Sequence, residues 1–416
     1  MNDLQRQLLS RLDDDRDALI AFFRDFLRAK SANPPGDTRP AAAVIADYLG
    51  AKGVPFRLEA AADTMPNVIG SYELGAPGKH LVLNGHIDVF APIDDTTAWT
   101  GALVDDRLYG RGASDMKCGT SASVFAFAYL YEIRQALAGK LTLTCVSDEE
   151  TGGRWGTAWL MEQFPDEVLG DACLNGEPSG LNNVRFMEKG TLRLTVTTQT
   201  DGGHGGYPHL SPNAIFQATG IIRGLMRLHG HQPDLPGPVA AALLSADGIA
   251  QTEAGMGEGA AEVVRSVVVN VGTIRGGLKI NQIPHACKVE VEVRYPMGIT
   301  RDDVLAHVDA VVAAVPLAAY TVDEAHSYPP SLADPEHELF RVIADTVEAL
   351  GHPRPTPLSS LGGSDSRYWR WRGVPAFLYG PSPVTMGRAD EHVTVDEFLH
   401  VVRTHVLAAV GYLERA

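Results

Sequence analysis

The chain has 416 residues, a formal net charge of -16, 45% apolar residues and 21% charged ones. Such a length exceeds one ordinary core, so two domains are expected, and the acidic balance argues against nucleic acid as a partner. No apolar run approaches the ~18 residues that a membrane helix needs, and "MNDLQRQLLSRLDDDRD" has no apolar signal region, so no membrane partner and a cytoplasmic location are expected. The four cysteines, Cys118, Cys145, Cys173 and Cys287, form no C-x-x-C pair and read as reduced thiols.

The first ~30 residues predict helix, with apolar positions at Leu8, Leu9, Leu12, Leu19, Ile20, Phe23 and Leu27. "NPPGDTRP" is a loop, and Asp37 or Thr38 is placed to cap the helix "AAAVIADYLGAKG". "KHLVLNGHIDV" and "KLTLTCVSDEE" read as buried strands, with the helix "SASVFAFAYLYEIRQAL" between them. Alternating strand and helix predicts an α/β layer with a mostly parallel sheet.

Near Lys189 the pattern changes. "TLRLTVTTQT", "VRSVVVNVGTIRGG" and "CKVEVEVRYP" alternate apolar and polar residues, as strands with one exposed face do. Helices "SPNAIFQATGIIRGLMRL" and "TRDDVLAHVDAVVAAV" and a last strand "AAYTVDEA" complete a ferredoxin-like α+β unit. "GIAQTEAGMGEGAAE" reads as a flexible loop. After about residue 328 the α/β pattern returns with "ELFRVIADTVEAL", "VPAFLYG" and "TVDEFLHVVRTHVLAAVGYL". The expected organisation is a catalytic domain in two parts, 1–187 and 329–416, interrupted by an inserted domain over 188–328.

Ligands of open α/β sheets sit beyond the carboxyl ends of the strands, and three charged clusters fall there. In "NGHIDV", His86 and Asp88 are two apart and point to one side if the strand continues. Asp115 lies in the glycine-rich turn of "YGRGASDMKCGTSA", where a helix cap is the alternative. The third cluster, "VSDEETGG", sets Asp148, Glu149 and Glu150 side by side at a strand end, with Glu177 following in "LNGEPSG". Packed carboxylates raise one another's pKa or destabilise the fold unless a cation neutralises them. Divalent metal is the expected answer, with Zn²⁺ first for a His and carboxylate set and Co²⁺ or Mn²⁺ as alternatives.

With these motifs in order, and with "NQIP", "VEVR", "GGSDSR" and "DEHVTVDEF" after them, the chain resembles the co-catalytic di-zinc exopeptidases and deacylases. That family includes acetylornithine deacetylase, succinyl-diaminopimelate desuccinylase, the aminoacylases and the glutamate-releasing carboxypeptidases. The resemblance covers nearly the whole chain. It implies two Zn²⁺ per subunit, one held by His86, Asp115 and Glu177 and the other by Asp115, Glu150 and His392. It implies a cis Asp115–Met116 peptide, Asp88 as the group that orients His86, and Glu149 as the general base. It further implies homodimerisation through the inserted domain, with His204 stabilising an oxyanion in the neighbouring subunit. Asn281 and Arg294 match its substrate-binding positions, Gly363 would line the pocket floor and Arg367 would pair there. The implied substrate is a small N-acyl amino acid or short peptide with a free carboxylate.

Three departures leave the acyl group and side chain of that substrate open: Cys118 where glycine is usual, Phe90 where a smaller residue is common, and "HGGYP" after the histidine. Two rival expectations use the same residues. One is hydrolytic deamination or another C–N hydrolysis on the same di-metal site; the other is a metal-binding scaffold without catalysis.

Overall fold

The computed structural model describes residues 1–414, so the last two residues of the expected domain part 329–416 lie outside it. The chain divides into two compact units. Among the described residues, the first comprises residues 1–186, 332–358 and 363–414, and the second residues 187–331 and 359–362.

The first unit is built on a mixed, mostly parallel sheet of nine strands. Ala76–His86 lies at its centre, parallel to Ala138–Val146 on one side and to Ala172–Asn175 on the other. Ala376–Leu378 adds a further parallel strand, whereas Asn67–Glu73 and Arg57–Glu59 close one edge antiparallel. Ala138–Val146 is buried on both faces apart from Lys140, as a strand covered by helices must be. The helix Cys118–Glu132 links the two central strands and is buried almost all round. It packs on the C-terminal helix Val395–Tyr412, and Phe398 of that helix stacks on Phe23 of Arg16–Arg28 with ring centroids 4.4 Å apart. The N-terminal helical stretch breaks at Asp15 into Asp3–Asp14 and Arg16–Arg28. A small antiparallel sheet, Ala102–Val104, Arg107–Tyr109 and His392–Thr394, carries His392 against Tyr109.

In the second unit, an antiparallel sheet of four strands has the order Val268–Gly276, Ala286–Tyr295, Gly190–Gln199, Ala318–Val322. With helices Ala214–Leu225 and Arg301–Ala313 this is the ferredoxin-like βαββαβ order, and the helices share one core with Leu192, Leu194, Val196, Val289, Val291 and Val293. The alternation is literal along Ala286–Tyr295, where Val289, Val291 and Val293 are buried and Lys288 is exposed. One expectation fails here. The segment read as a flexible loop forms two helices, Ala246–Met256 and Ala260–Arg265. Alanine favours helix strongly, the Ser245 side chain caps the first helix at Gly248 N–H, and Gly257 and Gly259, both at positive φ, confine the break to the junction. No helix among the described residues is long and apolar enough to cross a membrane.

Candidate metal centre and active site

The site assembles where the central strands end. His86 is the last residue of Ala76–His86 and is buried. Its Nδ1 lies 2.8 Å from the backbone carbonyl of Asp88, so Nδ1–H donates there and, in the neutral ring, Nε2 carries the lone pair. That Nε2 faces Asp115 Oδ1 at 3.1 Å and Glu177 Oε1 at 3.4 Å. Asp115 sits in the turn before Cys118–Glu132, with non-helical backbone and a cis Asp115–Met116 peptide, as the resemblance implies. Gly112, at φ +84°, lets the chain enter that turn in a left-handed conformation. Glu177 is brought close by a contact only glycines permit: a Cβ on Gly119 would sit 1.8 Å from the Gly176 carbonyl oxygen. Asn175 Oδ1 then accepts the Glu177 N–H at 2.8 Å.

One ligand atom each from His86, Asp115 and Glu177 lie within 4.8 Å of one another. Among the described residues this is the group able to hold a metal ion, and Glu150 and His392 fall outside it. Glu150 Oε1 accepts the Phe90 N–H at 3.0 Å, and His392 Nδ1 lies 2.7 Å from the Asp390 carbonyl, its ring 4.8 Å from that of Tyr109.

Burial and then the neighbouring Asp115 charge push the Glu177 carboxyl up to about 7. Burial and Glu177 raise Glu149 well above the usual carboxylate range, and burial and Asp115 do the same to Glu150. Burial alone would lower His86, but its hydrogen bonds to Asp115, Asp88 and Glu177 outweigh that and raise it. A converging imidazole and a crowd of carboxylates that hold protons for want of a counter-charge is a donor set that fits a divalent cation.

The local reading of His86 and Asp88 needs correction. The strand stops at His86, so the two side chains do not share a strand face. The Asp88 carboxylate instead accepts the backbone N–H of Glu149 at 3.2 Å and of Glu150 at 3.1 Å, while its Oδ1 stays 3.4 Å from His86 Nδ1. It therefore fixes the turn that carries both glutamates, in addition to facing the imidazole. Asp148, at φ +77°, starts that turn. Asn33, in the loop "NPPGDTRP", donates to Asp88 at 2.9 Å and to Asp148 at 3.2 Å, bridging two buried carboxylates. Its only sequence signal is its place before Pro34 and Pro35.

Arg367 comes to the Glu149 turn: Nη1 lies 3.4 Å from Glu149 Oε1 and donates to the Ser364 carbonyl at 2.6 Å, and Nη2 donates to the Gly152 carbonyl at 3.3 Å. Burial pushes the nearby Asp365 up to about 6 against the pull of the Arg367 charge. Gly363 is exposed at the start of this segment.

The remaining expected residues lie in the second unit. Gly203–His204 pairs with Gln282–Ile283, and the Gly205 N–H donates to the Asn281 carbonyl at 2.8 Å, so His204 and Asn281 are neighbours. Both are exposed. Arg294 is half-buried; its Nε donates to Glu292 at 2.7 Å and its Nη1 to the Leu361 carbonyl at 2.6 Å, which aims the guanidinium rigidly.

A mixed sheet with candidate metal ligands at its strand ends, and a separate antiparallel unit, fit a metallohydrolase. Residues 82–410 match the peptidase family M20/M25/M40, and the chain belongs to that family, whose members hydrolyse amide bonds with divalent metal. It is 30% identical over 398 residues to a succinyl-diaminopimelate desuccinylase of Rhodospirillum centenum, covering 92% of this chain and 94% of the relative. A protein of the same description from Gluconacetobacter diazotrophicus is 29% identical over 95% of this chain and 96% of its own. The fold is that of an M20 family metallo-carboxypeptidase from Sulfolobus solfataricus, with TM-score 0.79 at 16% identity over 95% of this chain and 99% of that one. The dipeptidase Dug1p of Saccharomyces cerevisiae is similar at TM-score 0.72 and 12% identity, with 99% of each chain covered.

Proposed function

We propose that the chain hydrolyses the amide bond of an N-acyl amino acid or short peptide and releases an amine that bears a free carboxylate. The observation that carries this reading is the convergence of His86, Asp115 and Glu177 beside Glu149, a half-buried carboxylate outside that ligand group. His86, Asp115 and Glu177 would hold one divalent ion, and Asp115, Glu150 and His392 a second, with Zn²⁺ preferred over Co²⁺ or Mn²⁺. Such ions, when bound, acidify water and polarise the amide carbonyl. Glu149 takes the proton of the attacking water and returns it to the leaving amine. Arg367 holds the Glu149 side chain in register for that transfer. Asp88 keeps Glu149 and Glu150 at their posts through their backbone N–H groups.

Arg294 binds the substrate carboxylate, Asn281 a neighbouring polar group, and Gly363 leaves room at the pocket floor. His204 stabilises the tetrahedral oxyanion from a partner subunit, which requires a homodimer formed through the inserted unit. The exposed strand edge Val268–Gly276 suits pairing of that kind. Four buried free thiols suit a reducing, cytoplasmic compartment.

The names of the relatives make an N-succinyl diamino acid the first substrate to try. A panel of N-succinyl, N-acetyl and dipeptide substrates, run on protein loaded with Zn²⁺ or Co²⁺, tests the reading by following release of the free amino acid. Absence of amide cleavage across the panel would sink it. Ammonia release from an aromatic amine would replace it with the deaminase reading.

A further inference from the structure

We propose that Glu391 is a positioning residue that assembles the second half of the metal site, by locking the turn that bears Asp115 to the segment that bears His392. This rests on the two-ion reading above. Glu391 is 3% exposed and neighbours His392 in sequence. Its Oε1 accepts two consecutive backbone N–H groups, from Ser114 at 3.0 Å and Asp115 at 3.2 Å. Its Oε2 accepts from Arg111 Nη1, which supplies the counter-charge inside the fold. Its own backbone carbonyl accepts the Gly110 N–H at 3.1 Å.

Two more bonds join the same pair of segments. Arg111 Nη2 donates to the Gly387 carbonyl at 3.1 Å, and Ser114 Oγ donates to the Ser382 carbonyl at 2.7 Å. Residues 110–115 and 382–391 are thus bound together by six hydrogen bonds, four of them on Glu391. Two N–H groups held by one oxygen fix the peptide plane from which the Asp115 side chain departs. The next residue, His392, leaves directly into a strand paired with Arg107–Tyr109. Glu391 therefore sets the bridging carboxylate and the distant imidazole at one fixed separation, although neither is its own hydrogen-bond partner through a side chain.

The first ligand group does not need this help to the same degree. His86 is oriented by the Asp88 carbonyl and Glu177 by Asn175, both outside the clamp. Residues that orient ligands are worth ~10–100-fold in metal affinity, and the loss should fall on the ion shared by Asp115 and His392.

Removing Glu391 alone would strand the buried Arg111 charge, so the test uses two double variants of the full chain. In Arg111→Met with Glu391→Leu, the ion pair becomes apolar and the acceptor is gone. In Arg111→Met with Glu391→Gln, the charge is equally absent but Gln Oε1 can still accept from Ser114 and Asp115. Each protein is stripped with a chelator and titrated with Zn²⁺ against a chromophoric competitor, and amide hydrogen exchange of residues 114 and 115 is followed in the metal-free state.

The Leu variant should weaken the second ion at least ~10-fold more than the first and speed exchange at both amides; the Gln variant should restore both readouts to within a few-fold of wild type. Equal second-ion affinity in the two variants, or equal loss of both ions in the Leu variant, overturns the proposal. Uptake of a single ion by the wild-type chain overturns it too, and that result separates failure of the two-ion reading from failure of the Glu391 assignment.

Discussion

The two units treat their carboxylates in opposite ways. In the first, Glu149, Glu150 and Glu177 crowd together at the strand ends, Glu177 buried and the other two half-buried, and desolvation with neighbouring carboxylates raises all of them. In the second, Glu290 and Glu292 lie on the polar face of the sheet beside cations. The Lys288 hydrogen bond lowers Glu290, and for Glu292 the Arg294 and Arg193 bonds overcome the upward push of burial. One set of acids is finished by its own chain and the other waits for a charge from outside. Clustered acidic residues thus mean structure in one place and chemistry in the other, and the local supply of cations decides which.

The sharpest way to break this comparison is to alter the unfinished set. Glu149→Gln keeps the shape and removes the proton acceptor, so kcat should fall ~10²–10⁴-fold while metal content stays near wild type. Glu150→Gln should lose metal instead, as read by elemental analysis. Exchange of the two phenotypes would reverse the assignment of the pair.

The next prediction tests whether His204 of the second unit serves the active site of a partner subunit. His204→Ala should cost ~10²–10³-fold in kcat if it removes an oxyanion donor. Glu149→Gln and His204→Ala chains, unfolded, mixed and refolded together, make about half mixed dimers; with His204 acting in trans each has one intact site, and about a quarter of wild-type activity should return. No recovery, with mixed dimers confirmed by mass, rules out the shared site.

A smaller effect is expected in the finished set. Arg294→Ala should raise KM for substrates with a free α-carboxylate by the ~1.5–3 kcal/mol of a charge-assisted bond. An amidated analogue should be spared. Equal loss on both would leave Arg294 as a structural partner of Glu292 and Leu361 only.

The sheet elements were legible in the sequence because burial leaves a period. "KLTLTCV" reads as a strand covered on both faces and "VEVEVRY" as one covered on a single face, and both form as such. The ligand candidates were legible because residues at strand ends have few other reasons to be acidic. Local spacing could not report what happens between distant segments. Glu391 meets Ser114 from 277 positions away, and Arg367 meets Glu149 from 218. Even the two-residue spacing of His86 and Asp88 misled, since the strand ends between them and the Asp88 carboxylate turns to the glutamate backbone. The helix Ala246–Met256 was missed for a different reason: its glycines and polar residues resemble a linker, and its alanines and Ser245 cap were outweighed.

The last effect is on stability, and it separates the two kinds of acid without any substrate. Glu177 moves from 4.5 unfolded to about 7 folded, so across that window the metal-free native state binds more protons than the unfolded chain, and its stability falls as pH rises. Glu149 and Glu150 act in the same direction, and so does His86, whose raised value is lost as a contribution when pH climbs through it. A shift of this size on Glu177 alone is worth on the order of 3 kcal/mol. Buried histidines oppose the trend: His400, held near 3, and His405, held near 4, add stability above 6.5 that is lost as pH falls through those values. They contribute alike with and without metal, so the difference between loaded and chelated protein cancels them. Melting temperatures measured with metal and with chelator at about pH 5 and about pH 8 should therefore show a gap that widens at the higher pH, by several degrees. The acids of the second unit, already paired, predict no such change. A gap of equal size at both pH values would mean that the carboxylates at the strand ends stay ionised without a cation, and the contrast between the two units would lose its physical basis.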